Sequence, residues 1–189
     1  MTTKLPVKRT IPVTQVRRYL EPGPIILISS AHKGETNIMT CGWHMMLGYD
    51  RVGCYIWNAN HSHRLIRESG ECAINIPAAD IASTVVRIGN CSGRDTDKFA
   101  AFGLAKEKGR KVAAPLLAAC PVNLECRLAD DRLIDEYELF VFDVVAARAA
   151  PKPKWPKTIH YRGDGAFMIA GAETRKWRKL FRPAMLEEP

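Results

Sequence analysis

A chain of 189 residues with 47% hydrophobic and 25% charged side chains is long enough for one well-cored domain and cramped for two. No apolar run approaches the roughly 20 residues of a membrane-spanning helix, and no apolar leader stretch follows the lysine-bearing residues 1–9, so a cytoplasmic protein with no membrane partner is expected. The net charge of +8 sits in the flanks: residues 1–24 and 148–189 hold 15 of the 28 Lys and Arg but 5 of the 20 acids, leaving 13 cations against 15 acids between them. A near-neutral body without a helix-turn-helix, zinc-finger or RNP signature speaks against nucleic acid.

Residues 1–24 are basic and punctuated by Pro6, Pro12, Pro22 and Pro24, as an extended arm or short edge strand would be. From Ile25 the pattern is β. Strands are expected over 25–30 and 37–47, paired as a hairpin around 32–35, with a third over 52–57. Leu65 and Ile66 among charged neighbours predict a helix after 58–62 that Gly70 stops, and 72–76 is a short strand closed by Pro77. Residues 80–103 read as mostly helical around the loop 89–99, with Gly103 as a stop. A charged connection (106–111) leads to two longer strands, 122–129 and 137–147, flanking the acidic turn 130–136. After the Pro- and Lys-rich 151–156, residues 159–170 predict a last strand. Six or seven short strands with helices between them predict a closed β-barrel with helical decorations, not alternating βαβ units.

The loop 89–99 reads Gly-Asn-Cys-Ser-Gly-Arg-Asp-Thr-Asp-Lys-Phe. Ser92, Gly93, Asp95 or Thr96 suit a helix N-terminus, and Arg94 and Lys98 add cations beside its positive end; such a loop suits a phosphate or small anion. The same string also describes a capped helix start with solvated charges. Of the six cysteines none forms a Cys-x-x-Cys pair, and several stand in apolar runs, so buried free thiols of a reducing compartment are expected. No Gly-x-Gly-x-x-Gly, Walker or Gly-x-Ser-x-Gly motif is present. His61 and His63 with Glu68 resemble the first cupin metal motif, but the glycine spacing differs and the second motif is missing, so no metal is expected. In a strand over 37–47, Asn37, Met39, Cys41 and Trp43 share one face. That face suits a flat polar ring needing stacking and edge hydrogen bonds; alternatively Trp43 and the methionines are core.

Asn37-x5-Trp43, the corner Asn58-Ala-Asn-His-Ser-His-Arg64 and the string Ser92-Gly-Arg-Asp-Thr-Asp-Lys-Phe99 follow the order and spacing of the flavin reductase-like family, its flavoredoxin-type members in particular. Ala114-Pro-Leu-Leu and Asn123-Leu-Glu-Cys126 add to the resemblance, which spans about residues 22–170. It implies a mainly β, FMN-binding split β-barrel of Greek-key type with inserted helices over 25–170. A basic arm (1–24) would precede it and a basic tail (171–189) follow it, and the protein would be a homodimer with the flavin near the interface. By the same likeness Asn37, Thr40 and Trp43 surround the isoalloxazine, Ser62 stands near the ribityl chain or phosphate with Asn60 and Arg64 as neighbours, and Lys98 contacts the flavin. Phe167 matches an aromatic lid position. The phosphate charge falls to Arg64, Arg94 or Lys98, with Ser92 in the same loop. In such a protein the flavin carries the chemistry, so no acid, base or nucleophile is assigned. Two redox roles follow: a flavin reductase fed by NAD(P)H, or an electron-transfer flavoprotein served by a partner protein. A non-redox barrel binding module using the basic flanks is the third alternative.

Overall fold

A computed structural model of the chain describes residues 5–20 and 23–186. The first residues of the basic arm (1–4), Pro22 and the last of the tail (187–189) lie outside the described residues. In chain order the elements are β1 (Arg9–Ile11), α1 (Arg17–Leu20), β2 (Ile26–His32), β3 (Glu35–Cys41), β4 (His44–Met46), β5 (Arg51–Tyr55), α2 (His61–Ser69) and β6 (Glu71–Ile76). There follow α3 (Ala82–Gly89), α4 (Lys98–Ala101), β7 (Lys106–Glu107), β8 (Leu116–Leu117), β9 (Val122–Asp130), α5 (Ile134–Tyr137), β10 (Leu139–Ala149), β11 (Ile159–Gly163) and β12 (Ala166–Ile169).

One curled antiparallel sheet runs β3-β2-β6-β9-β10-β5-β4. β10 serves two partners along a single edge, with Leu139–Asp143 against β5 and Ala147–Ala149 against β1. Register shifts between Val141 and Phe142 and between Val144 and Ala146 bend the strand between those partners, as bulges do. The split barrel follows: β3 and β4 are neighbours in sequence yet sit at opposite ends of the strand order. That corrects the expected single strand over 37–47. The chain leaves the sheet at Gly42 and Trp43 to change partner from β2 to β5.

The barrel interior is filled by alternating residues such as Ile26, Ile28, Met39, Val52, Cys54, Ile74, Leu124, Phe140 and Phe142. On the outer side of β2 and β3, Leu27 and Ile38 pack against Val85 and Ile88 of α3 and Phe99 of α4. Because the start of β2 is covered on both faces, residues 25–28 read as an unbroken apolar run. The β2–β3 hairpin turns on Lys33 and Gly34, both at positive φ (47° and 86°), the two-residue turn matching strand twist. α2 stops where Gly70 takes the left-handed conformation (φ 69°).

Three further expectations need revision. The helical stretch over 80–103 is two short helices separated by the loop 90–97. The N-cap of α4 is Asp97, not Ser92, Gly93, Asp95 or Thr96: its carboxylate accepts from Phe99 N (3.0 Å) and Ala100 N (3.1 Å). The strand over 159–170 is a hairpin, folded at Gly163, Asp164 and Gly165, all at positive φ. The six cysteines are free and five are buried. No helix of the described residues is long and apolar enough to cross a membrane.

Candidate functional site

Where the open edge of β3 meets the start of α2 and the end of α3, the surface sinks into a cleft with two lobes. The larger, about 670 Å³, is walled by Met39, Thr40, Cys41, Trp43, Tyr55, Val85, Val86, Tyr161 and Phe167. The smaller, about 300 Å³, is walled by Asn37, Ala59, His61, Cys91, Ser92, Gly93 and Lys98. Met39, Asn60, Gly89 and Asn90 border both, so the lobes adjoin. One is apolar and aromatic, the other polar and cationic.

The apolar lobe owes its shape to the strand exchange after β3. With the chain out of the sheet at Gly42, Trp43 is left 72% exposed, its ring centroid 5.2 Å from that of Tyr55. A Cβ on Gly42 would stand 3.0 Å from Ile25 Cδ1, so the turn is tight. Phe167, on the β11–β12 hairpin, packs on Tyr161 with centroids 5.0 Å apart and contributes to the same lobe. Thr40 donates its hydroxyl proton to Val85 O (2.7 Å), so towards a ligand it can only accept. Met39 and Cys41 line the lobe from the interior face of β3. Burial pushes the Cys41 thiol up to about 11, which keeps it protonated at neutral pH.

The polar lobe is built on close backbone packing. Gly93 lies so near the Asn37 carboxamide that a Cβ there would fall 2.3 Å from Asn37 Oδ1. Asn37 Nδ2 in turn donates to Ser62 Oγ at 2.9 Å. Ser62 is fully buried behind Asn37 and lines neither lobe; it orients Asn37. Asn60 borders both lobes and caps α2 without a side-chain hydrogen bond. In the loop, Arg94 N donates to Ser92 Oγ (3.2 Å), while Asp95 N and Thr96 N donate to Ser92 O. The N–H groups of Ser92 and Gly93 have no acceptor among the described residues. Arg94 Nη2 straps the loop to the turn before α2 by donating to Ala59 O at 3.1 Å.

Lys98 is 5% exposed, and its ammonium donates to Ile88 O at 2.9 Å. Among the described residues it pairs with no carboxylate, and burial holds its pKa below the ordinary lysine value. Two of its three protons therefore remain for the lobe. Arg64 is different. Its guanidinium is committed to Glu35 (2.6 Å) and Glu68 (3.1 Å), and it lines neither lobe. His61, bonded to Glu35 through Nε2, does line the polar lobe. His63 stands edge-on to Phe140, 5.1 Å between centroids.

The sequence model of the flavin reductase-like domain matches residues 17–166. The chain belongs to the flavin reductase-like family. The Uncharacterized protein YddH of Escherichia coli is 29% identical over 183 residues, which is 87% of this chain and 97% of that protein. The FMN-binding domain of a flavin reductase-like enzyme from Shewanella baltica superimposes with a TM-score of 0.85 at 21% identity, covering 92% of this chain and 99% of that one. Flavoredoxin of Desulfovibrio vulgaris gives 0.74 at 21% identity, covering 82% and 90%.

Of the expected site residues of this flavin reductase-like chain, Asn37, Thr40, Trp43, Asn60, Ser92, Lys98 and Phe167 border the cleft, and Arg94 holds its rim. Ser62 and Arg64 do not border it. Tyr55, His61, Asn90 and Tyr161 belong to it and were not foreseen. Tyr55 had a signal, since the alternation that buries Val52 and Cys54 turns Gly53 and Tyr55 outward. Its place beside Trp43 depends on Tyr55 N donating to Trp43 O (3.0 Å), a pairing between strands.

Proposed function

We propose that this member of the flavin reductase-like family binds FMN in the two-lobed cleft and works as an oxidoreductase, with NAD(P)H as the electron donor. The observation that carries this reading is Lys98, a buried ammonium without a carboxylate, standing in a small polar lobe beside an aromatic-walled one. A buried cation calls for an anion, and a flat apolar ring joined to an anion matches both lobes together.

On this reading Trp43, Tyr55 and Phe167 flank the ring and keep water from it, and Thr40 accepts a hydrogen bond from its polar edge. Lys98 and the free N–H groups of Ser92 and Gly93 hold the phosphate, while Ser62 fixes Asn37 from behind. Bound FMN supplies the hydride and electron chemistry, and the chain supplies position, stacking and charge. The exposed outer edge of Trp43 leaves room for a second planar group, which favours a nicotinamide donor. The same open edge suits a partner protein as donor. We also take the protein to be a homodimer.

The test is a titration of the purified protein with FMN and with riboflavin, followed by absorbance. Clear preference for FMN is expected, because only the phosphorylated flavin can use Lys98 and the loop; equal affinity for the two would overturn the phosphate assignment. NAD(P)H consumption by the FMN-loaded protein without any partner protein selects the reductase reading over the electron-transfer one.

A further inference from the structure

Five of the six cysteines are buried, and Cys91 is the exception: it stands partly exposed in the wall of the polar lobe. Burial pushes the Cys41 thiol up to about 11 and holds those of Cys54, Cys72 and Cys120 above the ordinary value as well, so they stay protonated and inert. The setting of Cys91 is the opposite one. It lies between the end of α3 and the loop that carries the free N–H groups of Ser92 and Gly93, on a wall that a small solute entering the lobe meets. Partial exposure in an electropositive recess is where reactive thiols occur.

The side chain beside it supplies an independent observation. Ile88 lies in the last turn of α3, where carbonyls have no partner within the helix, and its oxygen accepts from two side chains, Lys98 Nζ at 2.9 Å and Cys91 Sγ at 3.8 Å. Ammonium and thiol therefore stand side by side on one oxygen. Lys98 is 5% exposed, pairs with no carboxylate among the described residues and lines the same lobe. A buried charge without a counter-charge stabilises whatever anion comes next to it. Two anions can meet this one: a phosphate that enters the lobe, or an oxidised sulfur on Cys91. The thiol has the right place and lacks only the charge, which oxidation gives it.

We infer that Cys91 is a peroxide-sensitive thiol, and that its sulfenate pairs with Lys98 and so closes the polar lobe to a phosphate. The oxidant is hydrogen peroxide. The sulfur attacks one peroxide oxygen: an S–O bond forms, the O–O bond breaks, sulfur gives up two electrons, and the leaving hydroxide takes the thiol proton as water. Sulfenic acid is a stronger acid than a thiol, and Lys98 is placed to hold its anion. The inference rests on the reading of the polar lobe as the phosphate site. FMN and the oxidised thiol are then alternative partners for one ammonium: bound FMN shields Cys91, and oxidation of Cys91 in the flavin-free chain keeps FMN out. A dithiol returns the sulfenic acid to the thiol, so the block is reversible.

The experiment treats the full chain, freed of flavin, with one equivalent of hydrogen peroxide in the presence of dimedone, which traps sulfenic acids, and reads the adduct by peptide mass spectrometry. Wild type, Cys91→Ser and Lys98→Met are compared. The adduct is expected on Cys91, absent from Cys91→Ser, slower to form in Lys98→Met, and suppressed by saturating FMN more than by riboflavin. Without dimedone, the treated wild type should bind FMN about ten- to hundred-fold more weakly than before treatment, with riboflavin affinity unchanged and FMN affinity restored by dithiothreitol. Cys91→Ser should keep its own FMN affinity through the same treatment. An adduct confined to the buried cysteines, one that forms as fast in Lys98→Met as in wild type, or an FMN affinity indifferent to peroxide would each overturn the inference. So would a loss of affinity that Cys91→Ser shares or that dithiothreitol fails to reverse. The adduct is read without flavin, which separates this inference from the cofactor reading: a chain that forms it yet binds FMN no better than riboflavin loses the phosphate assignment and keeps the peroxide-sensitive thiol.

Discussion

Lys98 and Trp43 define the two ends of the cleft, and they make opposite energetic statements. A buried ammonium with one carbonyl acceptor costs the folded protein stability, because desolvation is not offset by a counter-charge. Its native pKa lies below the unfolded value near 10.5, so the penalty is complete below the native pKa and gone above the unfolded one. Lys98→Met is therefore expected to stabilise the ligand-free protein at neutral pH, with the gain shrinking as pH rises towards 10.5. The same variant should weaken FMN binding by about 1.5–3 kcal/mol, and salt should weaken the wild type more than the variant. Thermal melts across pH and flavin titrations at two salt concentrations check both signs. Trp43, at 72% exposure, has no core to lose. Trp43→Ala should leave unfolding free energy within about 0.5 kcal/mol of wild type, while FMN affinity drops by about 0.5–1.5 kcal/mol irrespective of salt. A core deletion would instead cost about 3–5 kcal/mol.

At the scale of elements, the cleft exists because a short loop is pressed onto a strand. α3 ends at Gly89, the loop crosses the edge of β3 with Gly93 against Asn37, and Asp97 restarts the chain as α4 with Lys98 as its first residue. A helix of four residues has little stability of its own, so the cap at Asp97 and the packing of Phe99 must hold it. Gly93→Ala is the direct probe. Its Cβ would overlap an amide that is itself buried and bonded to Ser62, so the loop must lift. A stability loss of about 1–3 kcal/mol is expected, with FMN affinity falling further than that of riboflavin, because the polar lobe alone is disturbed. Gly171→Ala, where a Cβ meets open space, is the matched control and should change neither quantity. Melting curves and the two flavin titrations decide it.

On the scale of the whole molecule, the two basic flanks behave differently. The N-terminal arm is sewn into the barrel. β1 pairs with the end of β10, and Lys8, whose side chain is 3% exposed, donates to Asn123 Oδ1 at 2.6 Å and pairs with Glu107 at 3.3 Å. Glu107 also meets Arg148 at 3.3 Å. Burial lowers the Lys8 pKa and the charge of Glu107 opposes that shift. Lys8→Ala leaves a buried amide oxygen and a half-buried carboxylate short of a donor, and should destabilise the barrel by about 1–3 kcal/mol while FMN affinity stays put. Chemical denaturation and a flavin titration of the variant test it. An arm that merely contacted an acidic partner would give no such loss. The C-terminal tail holds the same number of Lys and Arg, and its residues 171–186 are exposed almost throughout.

How much of this was legible in the sequence depends on the range of the interaction behind it. Local signals were sufficient for the β2–β3 hairpin, the stop of α2 at Gly70 and the strands β5, β6, β9 and β10, because periodicity and turn chemistry act within a few residues. The motif strings were sufficient for the family and the barrel class, and seven of the ten site residues expected from the resemblance border the cleft. Tertiary structure alone decided the break at Gly42, since whether β4 stays with β2 or crosses to β5 is a matter of strand pairing. It decided that Ser62 hides behind Asn37, and that Arg64 is consumed by Glu35 and Glu68. It also decided that Tyr55 stands beside Trp43. A hydroxyl or a guanidinium in a motif reads the same whether it faces a ligand or a neighbouring side chain, and only the packing around it says which.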